Sequence, residues 1–330
     1  MPSNKRPRAP SAAGVVGRIA GVLLVVIAAV YALARATDTE KLDIDDATRT
    51  AAAKAYGGAY IHGRDGITHY EVAGPDSAPL VVLAAGASVP GYIWQPTFDS
   101  LKNAGYHVMR YDYFGRGWSD RPDIPLVQDV YVNQLIELLD SLHSKKPITL
   151  AGLSYGGTVI TSFAAAHPDR VGALVYVDPG IHEPRHIPAL VRWRPIGDLV
   201  FQWNSRTWAS GQLDDFLHPE RYPDWSGRYA IQMQYKGFRR GRWSDAVANA
   251  DLDTRNALAE VGKNPRPVLV LWGKQDRTVP IERSKALLAA LPRAQFVPVD
   301  SAGHLPQWEQ QAVTHAALFA FLRENAARAK

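Results

Sequence analysis

The sequence predicts an α/β fold whose later strands form a parallel sheet. Three observations carry this. Short apolar runs rich in β-formers recur along the chain, stretches with helical periodicity separate the later ones, and "TLAGLSYGGTVI" at 149–160 reads as strand, sharp turn, helix.

The first element is a basic and then apolar tail. Residues 1–36 contain Lys5, Arg6, Arg8, Arg18 and Arg35 and no acid, whereas the run from Ile19 to Ala34 is uncharged. As a helix that run spans roughly 24 Å, against about 30 Å for a hydrocarbon core. Arg18 and Arg35 can snorkel and Tyr31 can sit at an interface, so the expectation is a signal anchor with the body outside the cytoplasm. A cleaved secretory signal ending near Ala34 or Ala36 is the rival reading.

A polar linker is expected at 37–56. Strands follow at Ala59–His62, Ile67–Val72, Leu80–Ala84, His107–Tyr111, Ile148–Ala151, Ala173–Val177, Val268–Leu271 and Gln295–Val297. Helical stretches lie at Ile93–Asn103, Leu126–His143, Thr158–His167, Ile281–Leu291 and Gln311–Asn325. Between 181 and 262 the alternation stops. Trp193, Trp203, Trp208, Trp225 and Trp243 fall there, which suits either a helical subdomain with its own core or a lid over an apolar pocket.

Composition narrows the function classes. The chain has 37 Lys and Arg against 32 Asp and Glu, a net charge of +5. The tail accounts for all of it, so the neutral body gives no support for a nucleic-acid footprint. With no cysteine, disulfides and thiolate metal sites are excluded.

Ser154 stands at the corner of the quoted stretch, between Gly152 and Gly156. Glycines there remove the Cβ atoms that would crowd a strained turn, and the following helix start offers amide N–H groups to a developing oxyanion. A helix cap would need only one of these features, so Ser154 reads as a nucleophile. A serine hydroxyl needs a base, itself held by a third group. His304, in "VDSAGHLPQWE" after the last strand, is the base candidate; His167 and His315 fall within or at the end of helices. Asp276, in "VLVLWGKQDRTVP", is the acid candidate, and Asp178, in "LVYVDPG", is its competitor. The backbone N–H groups of Ala87 and Tyr155 are the expected oxyanion donors.

These features together resemble the α/β-hydrolase superfamily. The resemblance covers roughly Gly57 to Asn325 and rests on "VVLAAGAS", "YDYFGRGWSDRP", "GLSYGG", "WGKQDRTVP" and "SAGHLPQWE" in that order. It implies a mostly parallel eight-stranded sheet flanked by helices, with core segments 57–180 and 263–330 and a cap at 181–262, after the sixth strand. Where members often carry His-Gly after the third strand, this chain has Ala85-Gly86. The chain is most similar to serine esterases and lipases of the monoacylglycerol-lipase-like branch.

The expected function is therefore hydrolysis of carboxylic esters with an apolar acyl or alcohol part, through an acyl-enzyme on Ser154. No cofactor or metal is implied, and the partners are a small-molecule or lipid ester and a membrane. Two alternatives stand beside it. One is hydrolysis of a C–C bond in a dicarbonyl substrate by the same triad, which calls for a basic residue such as Arg192, Arg194, Arg239, Arg240 or Arg242. The other is a catalytically silent, membrane-tethered binding protein.

Overall fold

The computed structural model describes residues 12–144, 146–181 and 183–328. Lys5, Arg6 and Arg8 of the basic tail lie outside the described residues. The tail forms helix α1 (Ala12–Ala36), and the segment Met1–Thr39 is a compact unit separate from Glu40–Lys330.

The second unit is built on eight strands: β1 (Ala59–His62), β2 (Ile67–Ala73), β3 (Leu80–Ala84), β4 (His107–Tyr111), β5 (Ile148–Leu153), β6 (Val171–Val177), β7 (Val268–Gly273) and β8 (Gln295–Val299). They form one sheet in the order β1-β2-β4-β3-β5-β6-β7-β8. Only β2 runs against its neighbours; from β4 to β8 every pairing is parallel. Every residue of β3 and β7 is buried, as a sheet covered on both faces requires.

Helices α2 (Asp46–Tyr56), α3 (Gln95–Asn103), α4 (Gln128–Ser141) and α5 (Tyr155–Ala166) precede or alternate with the strands. Six further helices stand between β6 and β7: α6 (Ala189–Arg192), α7 (Arg194–Asn204), α8 (Trp208–Gly211), α9 (Trp225–Gln232), α10 (Phe238–Ala248) and α11 (Arg255–Lys263). The chain ends with α12 (Ser284–Ala290), α13 (Pro306–Glu309) and α14 (Gln311–Arg328). Helices α4, α5 and α11 pack together on one side of the sheet, with α5 lying on β5, while α3 and α14 pack against each other and against strands β4, β7 and β8.

The expected linker contains an ordered helix. Asp45 caps α2 by accepting the Thr48 N–H at 2.8 Å. Just before it, the N–H groups of Lys41 and Leu42 donate to the Gln234 carbonyl at 2.8 and 3.0 Å, and Glu40 accepts the Gly237 N–H at 2.9 Å. The reason is local: Glu40 and Asp43 stand opposite Arg239 and Lys236 of the insertion. Polarity alone made this stretch read as linker.

Parallel strands end at a common edge. The C-terminal ends of β5, β7 and β8 therefore bring residues 154, 276 and 304 to one side of the sheet, although 122 and 28 positions of chain separate them.

Candidate active site

Ser154 follows β5 and precedes α5, with φ 53° and ψ −121°. A non-glycine residue there stores about 1–3 kcal/mol of strain, and the surroundings hold it in place. The Ser154 N–H donates to the Val177 carbonyl at 3.0 Å, and its own carbonyl accepts from Gly157 at 2.8 Å and Gly180 at 2.9 Å. Neighbouring glycines make room. A Cβ at Gly152 would stand 2.5 Å from the Gly156 carbonyl oxygen, and one at Gly156 would overlap the carbonyl oxygens of Ala84 and Ala85. Sequence reasoning placed these two glycines correctly, and for this steric cause.

The loop after β3 lies against the elbow: a Cβ on Gly86 would meet the Ser154 Cβ at 3.6 Å. Its next residue is clamped from outside. The Ala87 carbonyl accepts from Nε of Arg116 at 2.8 Å and from Nη1 of Arg242. The Ser88 hydroxyl donates to Gln212 at 3.0 Å, and Gln232 donates to the Ser88 carbonyl at 3.1 Å. Three side chains of the helical insertion thus fix the loop expected to supply an oxyanion donor. Tyr155, the other expected donor, heads α5 and anchors its ring by an O–H donated to Gln128 at 2.7 Å.

Nδ1 of His304 lies 2.7 Å from Oδ2 of Asp276, and both residues are buried. The other Asp276 oxygen accepts the N–H groups of Thr278 and Val279 at 2.8 Å each. Burial lowers the His304 pKa, but the Asp276 hydrogen bond and charge, with Asp215 adding to them, outweigh this and raise it above the ordinary imidazole value of 6.5. The two loops are also tied to each other. Gln275 donates its N–H to the Ala302 carbonyl at 3.0 Å, and its side chain accepts the Ala302 N–H at 3.1 Å.

Asp178 comes close but is occupied differently. Its Oδ1 accepts the Gly273 N–H at 2.8 Å, and Oδ2 is buried without a partner. Burial, then the adjacent Asp276 charge, pushes its pKa well above the ordinary carboxylate range. Ligand atoms of Asp178, Asp276 and His304 fall within 4.8 Å of one another. The 2.7 Å contact between His304 and Asp276 leaves no gap for an ion between those two atoms.

Some supporting residues carried no sequence signal. Glu309 accepts the Gly303 N–H at 2.7 Å through one oxygen, and those of Leu217 and His218 at 2.9 Å through the other. Asp215 accepts the His304 N–H through its carbonyl at 2.8 Å and the Thr278 hydroxyl through its carboxylate at 2.7 Å. Arg116, within the quoted "YDYFGRGWSD" stretch, is paired with Asp245 at 3.0 Å.

The five arginines named as possible carboxylate binders divide sharply. Arg192 pairs with Asp251, Arg194 and Arg240 with Asp123, and Arg239 with Glu40. Arg242 is different. It is half-buried, its Nη1 donates to the Ala87 carbonyl, its guanidinium lies above Trp208, its Nε is buried without a hydrogen-bond partner, and no carboxylate pairs with it among the described residues.

A family model described as the alpha/beta hydrolase family matches residues 81–317. The chain belongs to the alpha/beta hydrolase family. It is 28% identical, over 74% of its length and 88% of the relative's, to a 2-hydroxy-6-oxononadienedioate/2-hydroxy-6-oxononatrienedioate hydrolase of Cupriavidus pinatubonensis. It is also 28% identical to a 2-hydroxymuconate semialdehyde hydrolase of a Pseudomonas species, over 74% of this chain and 84% of that one. A solved structure of a hydrolase from Pseudomonas aeruginosa superimposes with a TM-score of 0.67 at 26% identity, covering 81% of this chain and 99% of that chain.

These relatives correct the expected activity of this alpha/beta hydrolase. Their names are those of C–C bond hydrolases, not carboxylic ester hydrolases, so the ester reading gives way to the dicarbonyl alternative. The physical reason for the misreading is that one nucleophile, base and oxyanion hole serve both reactions. Nor does a sequence show which of several arginines meets a carboxylate after folding and which does not.

Proposed function

We propose that this alpha/beta hydrolase cleaves a C–C bond next to a ketone or aldehyde carbonyl in a dicarbonyl substrate that also carries a carboxylate. Arg242 is the observation that carries the reading. A guanidinium with a buried, unpartnered Nε and no protein carboxylate beside it suits an anion, and this one touches the loop beside Ser154. The names of the relatives support the same substrate class.

In this reading Ser154 attacks the carbonyl carbon and His304 takes its proton, while Asp276 holds the imidazole and stabilises the imidazolium. The N–H groups of Ala87 and Tyr155 hold the oxyanion, each such donor contributing about 2.7–4 kcal/mol. Collapse breaks the C–C bond. The electron pair leaves on a carbon conjugated to the second carbonyl, and His304 returns the proton to that fragment. Water then hydrolyses the acyl-enzyme by the same route, so the net change is consumption of one water, with one fragment released as a carboxylic acid. The helical insertion between β6 and β7 serves as a cap that delivers Arg242.

We also propose that α1 anchors the chain in a membrane. Arg18–Ala36 is long and apolar enough to cross one, and its apolar side chains, such as Leu24, Val25 and Ile27, are exposed. Intact mass of the membrane fraction distinguishes an anchor from a cleaved signal.

The catalytic reading is tested by comparing kcat/KM for 2-hydroxymuconate semialdehyde with that for p-nitrophenyl acetate. The dicarbonyl is expected to be the better substrate, with turnover abolished in Ser154→Ala. A preference for the ester contradicts the proposal.

A further inference from the structure

A cavity of about 280 Å³ lies between β2, β4, the loop after β3 and α9. Its lining includes none of Ser154, Asp276, His304, Ala87 or Tyr155. Its size is near the lower end for small-molecule sites.

The acceptors in its wall are already used. Glu71 receives Nε and Nη2 of Arg110 at 2.9 and 2.7 Å. Asp112 lies 2.9 Å from Nδ1 of His69 and accepts the N–H groups of Gly91 and Trp118 at 2.7 and 2.9 Å. Burial disfavours the His69 cation, but the contact with Asp112 outweighs it and raises the pKa above the ordinary value.

The donors are not all used. Nη1 of Arg110 and the hydroxyl of Tyr92 are both buried without a hydrogen-bond partner, and both residues line the cavity. Arg228 places its guanidinium 3.9 Å from the Tyr92 ring centre and has no carboxylate partner among the described residues. Asp112 is held by His69 and Glu71 by Arg110, so neither acid of the wall pairs with Arg228. A ligand that satisfies this wall presents acceptors and one negative charge. The rest of the wall is apolar: Tyr56 stacks on Trp118 with ring centres 5.6 Å apart, beside Pro90 and Ile231.

We propose that this cavity is a binding site, separate from the catalytic edge, for a small monocarboxylate with a flat aromatic or short apolar body. The carboxylate sits between Arg228, the Tyr92 hydroxyl and Nη1 of Arg110, and the body lies along Trp118. The site does not depend on which bond the catalytic edge breaks: it contains none of the residues assigned to the reaction, and only Gln232, which donates to the Ser88 carbonyl, also braces the loop at that edge.

Calorimetric titration of the full-length Ser154→Ala chain with benzoate tests this, with benzamide as the uncharged probe of the same shape. The expected result is saturable binding at one benzoate per chain, weakened by about tenfold or more for benzamide, in Arg228→Gln and in the conservative Tyr92→Phe. Circular dichroism establishes that each variant is folded. Absence of saturation, meaning that water alone satisfies the donors, overturns the proposal. Equal binding of benzamide overturns it, as does undiminished benzoate binding in both folded variants. Benzoate acting on the wild-type enzyme as a competitive inhibitor with the same constant in Arg228→Gln assigns the carboxylate to the catalytic edge and also overturns it.

Discussion

Nδ1 of His304 faces Oδ2 of Asp276 at 2.7 Å, while the other oxygen of that carboxylate is fixed by two backbone N–H groups. The acid is therefore oriented before the histidine is, and the ring is held with Nε2 as the nitrogen left for proton transfer. Asp178, close by, has no comparable hold on the imidazole. Asp276→Asn should lower kcat by about 10⁴-fold through the wrong imidazole tautomer, whereas Asp178→Asn should stay within about threefold, since the amide is a near-isostere that can still accept the Gly273 N–H and the imidazole is bonded to Asp276 instead. Steady-state kinetics on the two purified variants compares them. A collapse of activity in Asp178→Asn with retention in Asp276→Asn would reverse the assignment.

The pH profile follows from the same contact. The base works only when unprotonated, and the folded pKa of His304 is raised, so the proton is retained to higher pH than in a free imidazole. The acid limb of kcat/KM should therefore have an apparent pKa above 6.5, with activity lost as pH falls through it. Asp276→Asn takes away the two largest raising effects, the hydrogen bond to the carboxylate and its charge, and leaves burial, which lowers, against only the smaller effect of Asp215. The residual activity of Asp276→Asn should show its acid limb displaced to lower pH.

Arg242→Gln should separate substrates by charge. Loss of a charge-assisted hydrogen bond costs about 1.5–3 kcal/mol, which corresponds to a fall in kcat/KM of about 10–150-fold for a dicarbonyl carrying a carboxylate. The methyl ester of that carboxylate should lose less than about threefold, as it never made the ion pair. Equal losses for both would mean that Arg242 acts only by holding the Ala87 carbonyl.

The elbow makes a stability prediction. Gly156→Ala drives a methyl group into the carbonyl oxygens of Ala84 and Ala85, neither of which can move without shifting β3. Such overpacking costs about 1–3 kcal/mol. Chemical denaturation should show a lower midpoint at unchanged slope, and activity should fall further than stability because Ser154 is displaced.

Much of the frame was legible from the residues because it rests on local rules. The eight apolar runs became eight strands, with ends moved by only a few residues: β5 runs on to Leu153 and β7 to Gly273, each into the glycine-containing turn that follows. The turn at Ser154 could be read because it needs small neighbours on both sides, and the positions of His304 and Asp276 because each follows a strand that ends at the shared edge.

Contacts between distant segments were not legible. Arg242 differs from Arg239 and Arg240 only in what it meets after folding: the Ala87 carbonyl instead of Glu40 or Asp123. Glu309, which joins the His304 loop to residues 217 and 218, reads in sequence as an ordinary acid at a helix end. The order in residues 40–43 was missed for the same reason, since its partners lie nearly two hundred positions further on.

The most direct measurement is product analysis with 2-hydroxymuconate semialdehyde as substrate. Hydrolysis of its terminal C–C bond releases one formate for each dienol chromophore lost. The account predicts that stoichiometry with the wild-type chain and no formate with Ser154→Ala; chromophore loss without formate, or formate release undiminished in the variant, contradicts it.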